Sequence, residues 1–556
     1  MPEQILPGTY ITVRDEGLIT AGGVVSGNVG IVGTAAKGPV GEVQILGSFA
    51  EARETFGDSD PWTGGGNHEL TLVRALEFIY NNGGHTVYAV RTAGSSAHSA
   101  AYQTRKGATP LTKLLARTAG TWGNDIKISI GKADQNSAVS ETLAGNAALR
   151  RAHVMADSPL NSIRVRQAST GTTLTYAIVY DKPVDITQPQ VSVNTSTGVL
   201  TFTTLAGFAP VAVDTIVANY QVPAASSKKV ELTYGAAKET YTVADASHLA
   251  EQVNRRSGLV FAAPADESSF LNSLPDDTVV PQLFGTGMDG HTAGANGEAA
   301  TAQDYGDALA LLENELVNIV MMAGQSASDS SMVSKLVGHI NTTAEIRRER
   351  IAVIGSNGTD DLSTIAGHPL DSERVVFTAP GIRIAPQVTL PGAYTAAAVA
   401  GLLSSLPVQS SPTNKPLNIP GVSTAFSSSQ LEKLVLQRVL AVEKRDGYRV
   451  VKGITTATNS AWHQITTRRI VDYAIYGVRS ACNPYIGKLN NDRVRGALKA
   501  TIDAFLTRMV DNEALVGYKL DVSATRAQQI AGECMVTMTI QPTFSIDFIV
   551  VTMYLG

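Results

Sequence analysis

Three neighbouring stretches decide the fold: Tyr305-Gly-Asp-Ala-Leu-Ala-Leu-Leu-Glu-Asn-Glu-Leu316, Val317-Asn-Ile-Val-Met-Met322 and Ile351-Ala-Val-Ile354. In the first, Leu309, Leu312 and Leu316 recur at helical spacing. The other two are short apolar runs of the kind that form strands buried on both faces, and Met332 to Arg350 between them reads as a long helix. Helix and strand in alternation predict a sheet with helices packed on it. The pattern continues upstream. Gly30-Ile-Val-Gly-Thr-Ala35 and Val43-Gln-Ile-Leu46 read as strands, and Ser48 with Glu51 three residues on suggests a capping box opening a short helix. Leu72, Val73, Leu76, Ile79 and Tyr80 give one helix face, Asn82-Gly-Gly84 ends it, and Val87 to Arg91 returns as a strand. Downstream, Val375-Val-Phe-Thr378 is a further strand, and Thr395 to Leu406 is a helix of small residues stopped by Pro407.

Between residues 92 and about 290 helical periodicity fades. Ile126–Ile130, Ser162–Arg166, Leu174–Tyr180, Val199–Thr203 and Thr215–Tyr220 alternate with period two and are separated by turn residues, which predicts a β-sandwich or small barrel closed by a helix near Ala246 to Ser257. After a proline-studded loop, Val439–Val442 and Arg449–Lys452 predict a hairpin about Asp446-Gly447. Two amphipathic helices follow. From Asp492 to Asp511, Val494, Leu498, Ile502, Phe505 and Met509 form an apolar stripe, with Arg495, Lys499 and Asp503 in an outward row and Arg493 beside it. From Thr466 to Ala481, Ile470, Val471, Ala474 and Val478 point inward, placing Arg469, Asp472, Tyr476 and Arg479 outside. The chain closes on two strand-like runs, Met535–Ile540 and Phe544–Leu555, joined by a Gln-Pro-Thr corner that reads as a hairpin. In the last run Phe544, Ile546, Phe548, Val550 and Tyr554 share a face, and such a run is either covered at home or pairs with another molecule.

The 556 residues are 44% apolar, and no run is long enough to cross a membrane as a helix. Met1-Pro-Glu-Gln-Ile-Leu-Pro-Gly8 lacks the basic and apolar regions of a secretory signal. The net charge of −5 conceals a basic block: residues 430–510 hold fourteen Lys and Arg against six Asp and Glu. Such a block suits an anionic partner, and an acidic protein surface fits better than nucleic acid, because Asp472 and Asp503 punctuate the row and exposed aromatic platforms are few. Cys482 and Cys534 form no metal motif and read as reduced structural thiols.

Catalytic signals are lacking. Gly285-Thr-Gly-Met-Asp-Gly290 satisfies G-x-G-x-x-G, but a loop follows where dinucleotide binding needs a helix. There is no Walker A sequence, no H-x-x-x-H pair among the nine histidines, and no Gly-x-Ser-x-Gly elbow. No catalytic, cofactor-binding or metal-ligating residue is assigned, and no enzymatic activity or cofactor is expected.

Several stretches together resemble the contractile tail sheath proteins of bacteriophages: Pro7-Gly-Thr-Tyr10, Gly33-Thr-Ala-Ala-Lys-Gly-Pro39, Phe78 to Arg91, Ala119-Gly-Thr-Trp-Gly-Asn124, Pro391-Gly-Ala-Tyr-Thr-Ala-Ala-Ala-Val-Ala-Gly-Leu-Leu403 with Ser411-Pro-Thr-Asn-Lys-Pro-Leu417, Lys452-Gly-Ile-Thr-Thr456, and Ala504-Phe-Leu-Thr507 through Gly517. The likeness is weakest over residues 130–245. It implies an α/β (α+β) sheath core with an inserted mainly-β domain and terminal strand-exchange arms. The corresponding division is an amino-terminal arm at 1–27, an α/β domain at 28–92 plus 295–425, an inserted β-rich domain at 93–294, and a C-terminal α+β domain at 426–556 ending in an arm at 544–556. It further implies a homo-oligomer of stacked hexameric rings around an inner tail tube protein, bounded by baseplate and tail terminator proteins, in the virion tail after assembly in the host bacterial cytoplasm. Neither direct nucleic-acid binding nor membrane insertion is implied. On this basis Tyr10, Ile11 and Val13, with Phe544, Ile546, Phe548, Val550 and Tyr554, are expected to exchange strands between subunits. Arg469, Arg479, Arg493, Arg495 and Lys499 are the candidates to face the tube. A sheath from a phage-derived injection device, of pyocin or type VI secretion type, is the near alternative, and a nucleotide-binding α/β enzyme the distant one.

Overall fold

A computed structural model of the protein describes residues 26–62, 70–145, 147–263, 270–286 and 290–554. The chain divides into two compact units, one of residues 1–35, 40–94 and 299–556, the other of residues 36–39 and 95–298.

The first unit is built on a nine-stranded sheet with the order Val43–Leu46, Val87–Thr92, Val29–Thr34, Ile319–Met322, Ile351–Gly355, Val375–Ala379, Leu440–Lys444, Tyr448–Val450, Pro416–Leu417. The six strands from Val87–Thr92 to Leu440–Lys444 run parallel, and the outer strands pair antiparallel. Alternate residues of the central strands feed two separate cores. Ile31, Met321 and Val353 pack with the helices Phe49–Phe56, Leu72–Asn81 and Gly392–Ser405. Val32, Met322 and Ile354 pack with Ala302–Ala310, Ser330–Glu345 and Ser428–Leu436 on the other face. Because both faces are covered, these strands have no polar side, and so they read in the sequence as apolar runs.

Helix Gly392–Ser405 is buried at all but its last residue, and its small side chains permit that. A Cβ placed at Gly401 would run into the Ile79 carbonyl of the neighbouring helix. Two predicted helices are shorter than their periodicity suggests. The helix expected over 305–316 spans Ala302–Ala310: a capping box between Thr301 and Asp304 starts it, and the buried Arg350 guanidinium takes up the carbonyls of Leu312 (3.0 Å), Glu313 (3.2 Å) and Glu315 (3.4 Å) beyond its end. The helix expected over 332–350 spans Ser330–Glu345, opened by Asp329 accepting from the Ser331 and Met332 N–H groups, and Arg347 at φ 68° lies just beyond it. At Ser48 half of the predicted box forms: its Oγ accepts from Glu51 N–H at 3.2 Å, while Glu51 Oε2 takes the Gly47 N–H instead. The Asp446–Gly447 turn has both residues at positive φ and joins Leu440–Lys444 to Tyr448–Val450. That hairpin extends the main sheet through the parallel pairing of Leu440–Lys444 with Val375–Ala379, so residues 426–450 belong to the α/β layer and the C-terminal module starts after them.

The second unit is mainly β, with sheets of six, four and three strands, two separate cores and the helix Ala246–Arg256. Buried Arg151 joins its layers, reaching Glu141 (3.0 Å), Asp245 (3.2 Å) and Glu251 (2.7 Å). Three carboxylates around one guanidinium hold that cation charged despite burial.

Candidate assembly surface

The C-terminal module packs two helices, Ile465–Cys482 and Asp492–Asp511, against a two-stranded antiparallel sheet of Leu515–Ser523 and Met535–Pro542. The stripe of Leu498, Ile502, Phe505 and Met509 is buried as its spacing predicts. The helices approach closely where Gly477 faces Phe505: a Cβ at Gly477 would collide with the ring. Tyr518, Leu520, Val522, Val536 and Ile540 turn toward this core, leaving Lys519, Asp521, Thr537, Thr539 and Gln541 outside. A capping box at Thr525 and Gln528 and Gly532 in the left-handed region shape the link between the strands. With two strands, this sheet has two edges without a strand partner among the described residues.

Pairing at the carboxyl end differs from the sequence expectation. Met535–Pro542 pairs with the preceding strand Leu515–Ser523, not with the run after the Gln-Pro-Thr corner. The cause is competition between partners. Leu515–Ser523 alternates too, and it presents its apolar face to the two helices, a choice that local spacing does not reveal. Residues 543–554 form no ladder with any described segment. Thr543 N–H donates to Ala514 O at 3.1 Å, Ser545 N–H to the Gln464 side chain at 3.2 Å, and Asp547 pairs with Lys452 at 3.4 Å. The polar residues thus tie down the root, while the apolar ones stand in solvent. Phe544 and Ile546 are exposed, and Phe548, Val550 and Tyr554 are 80%, 89% and 89% exposed. Ile549, Val551 and Met553 on the opposite side are exposed as well. Lys452 Nζ lies 5.1 Å from the Phe548 ring centre.

Tyr10, Ile11 and Val13 lie outside the described residues. The point where the amino-terminal region enters the fold is firmly held. Arg469 donates to Ser26 O at 3.2 Å, Ser404 Oγ to Gly27 O at 2.5 Å, and Asn28 N–H to Asn318 Oδ1 at 3.1 Å.

Of the five basic candidates, Arg469 is not on an outer face. It is 5% exposed, donates also to Leu406 O at 3.0 Å and Pro407 O at 3.5 Å, and burial pulls its pKa down to about 10. Its place follows from packing on two sides of its helix, which buries Thr466, Thr467, Arg468 and Arg469 together. Asp472, also expected outside, receives a fork from Arg374 (2.9 and 3.1 Å) and a bond from Arg468 (2.6 Å). Arg479 forks onto Glu349 at 2.8 and 3.1 Å. Burial disfavours ionisation of Glu349, but the Arg479 hydrogen bonds outweigh it and hold the carboxyl below its ordinary range. Arg495 bonds Asn490 Oδ1 at 2.7 Å and pairs with Asp492. Arg493 and Lys499 are exposed.

The crevice at the carboxyl ends of Val29–Thr34 and Ile319–Met322, where sheets of this topology bind nucleotides, measures about 620 Å³. Asp329 is the one charged residue among its described lining residues. No helix follows Gly285 before residue 302, and residues 287–289 lie outside the described ones. No group of three or more His, Cys, Asp and Glu placed to hold a metal ion stands among the described residues, and no helix among them is long and apolar enough to cross a membrane.

Fold and surface together define a class: a doubly wound α/β protein whose C-terminal module presents an open two-stranded sheet and an uncovered apolar terminus. Residues 298–456 match the phage tail sheath protein central domain, and residues 457–556 match the phage tail sheath C-terminal domain. The chain belongs to the phage tail sheath family through these two domains, which together span residues 298–556. Its fold is similar to that of a sheath tail protein from Desulfitobacterium hafniense, with TM-score 0.58 and 14% identity over 96% of this chain and 100% of the other. A sheath tail protein from Listeria innocua aligns with TM-score 0.59 and 14% identity over 95% of each chain. No curated protein sequence matches the chain.

Proposed function

We propose that the chain is a structural subunit, without enzymatic activity, that polymerises as stacked hexameric rings around an inner tail tube and contracts to drive that tube through the host envelope during genome ejection. The observation that carries this reading is the uncovered apolar run Phe544–Tyr554 beside a sheet with two open edges. A strand-forming segment left in solvent is a liability in a monomer and a connector in a polymer. Residues 9–13 of one subunit and 544–555 of another complete the open sheet of a third, and such head-to-tail links generate helical assemblies. Every ~100 Å² of apolar surface covered in this way contributes at most about 2.5 kcal/mol per subunit. Baseplate and tail terminator proteins close the two ends of the stack. The subunit assembles in the host cytoplasm, resides in the virion tail, and neither inserts into membrane nor contacts nucleic acid directly. Of the basic candidates, Arg493 and Lys499 are the ones to face the tube, because both are exposed, whereas Arg469 is buried and Arg479 and Arg495 are half-buried.

Removing residues 544–556 tests the reading. Soluble subunits that form no rings or tubes by negative-stain microscopy are expected, and tubes of normal yield would refute strand exchange.

A further inference from the structure

The two cysteines, remote in sequence, stand at one cavity. Cys482 is the last residue of helix Ile465–Cys482 and is half-buried; Cys534 is exposed in the link that leads into strand Met535–Pro542. Both line a solvent-open cavity of about 300 Å³ together with Tyr485, Leu489, Val494 and Val536. Both are free thiols. Burial and the nearness of Cys534 push the Cys482 thiol up, so each thiol lies within electrostatic reach of the other.

Chain geometry around Cys534 favours closure. The ladder of the terminal sheet ends at Ser523 opposite Met535, one residue short of Cys534, and Gly532 at φ 77° precedes it. Cys534 is therefore outside the hydrogen-bonded register, where the backbone is able to adjust to the Cα separation of roughly 4.4–6.8 Å that a disulfide requires. Cys482 sits at a helix end with its side chain at the cavity wall.

We infer that Cys482 and Cys534 form a reactive dithiol site that takes a small organic disulfide as oxidant and closes to an intramolecular bridge. The Cys534 thiolate attacks one sulfur of the oxidant, forming a mixed disulfide and releasing one thiolate. The Cys482 thiolate then attacks Cys534 Sγ, forming the Cys482–Cys534 bond and releasing the second thiolate. The two protein thiols lose two protons and two electrons, which reduce one disulfide to two thiols. The order follows from exposure: Cys534 meets the reagent, and Cys482, shielded and harder to ionise, resolves the adduct. The bridge staples the end of helix Ile465–Cys482 to the link of the two-stranded sheet. It becomes available when a chain made in a reducing cytoplasm passes into oxidising surroundings.

Oxidised glutathione added to the full-length protein is the test. The thiol count is expected to fall from two to zero with no glutathione retained, and tryptic digestion should yield a peptide linking Ser480–Lys488 to the segment that contains Cys534. Cys482→Ser should instead keep one glutathione on Cys534. Should that variant fold poorly, phenylarsine oxide gives a second readout, since one arsenical bound across both thiols of the reduced wild type is expected, protecting both from alkylation. Two thiols still titrating after oxidation, separate glutathione adducts on both cysteines, or a cross-link only between chains would each overturn the inference.

Discussion

Helices Ile465–Cys482 and Asp492–Asp511 look alike in the sequence, each with an apolar stripe and a row of charges, yet the structure uses the two rows differently. In the first, Arg468, Arg469, Asp472 and Arg479 reach into the α/β core and cross-link it through Glu373, Arg374, Glu349 and three carbonyls. In the second, Arg493, Lys499 and Asp503 stay at the surface while Arg495 bonds locally. A charged row is a solvated face only when nothing packs over it. Covered, the same residues become a buried polar network whose members depend on one another.

The comparison is broken most severely where the helices meet. Gly477→Leu places a side chain inside the Phe505 ring, and a loss of about 3 kcal/mol or more, or failure of the C-terminal module to fold, is expected from urea unfolding of the full chain. Arg469→Met keeps the volume and strands the carbonyls of Ser26, Leu406 and Pro407, with an expected loss of about 2–3 kcal/mol by the same measurement.

Acid acts on the Glu349–Arg479 pair. The folded carboxyl titrates below its unfolded value, so the stability it contributes is fully present above about pH 4.5 and is lost as pH falls through the lower folded value. Glu349→Gln is expected to be less stable than wild type at pH 7, with the gap closing as pH falls below about 4.5 in parallel denaturation curves. A gap of constant size would show that the carboxylate charge is not what matters. The smallest effect on stability is on the second helix. Arg493→Glu with Lys499→Glu should shift unfolding by no more than about 0.5 kcal/mol, yet weaken co-sedimentation with tube protein at low salt. Unchanged co-sedimentation places the tube-facing surface elsewhere.

Legibility followed the covering of each element. The central strands were readable because burial on both faces leaves an unbroken apolar run, and the Leu498–Met509 stripe because one core covers one face. The interior of Arg469 was not readable, since a basic residue reads as outward unless the packing on its second side is known. Nor was the partner of Met535–Pro542: period two announces a strand without naming the strand beside it.

By itself the sequence determined the alternation of helix and strand, the β-rich insertion, a small-residue helix read at 395–406 and the apolar character of the terminal run. These depend on local spacing and side-chain size. Tertiary structure alone decided which strands pair, which charges are interior, and that Phe544–Tyr554 finds no cover within its own chain among the described residues. Those outcomes depend on contacts between residues far apart in sequence, and an apolar run carries the need for a partner without specifying where the partner is.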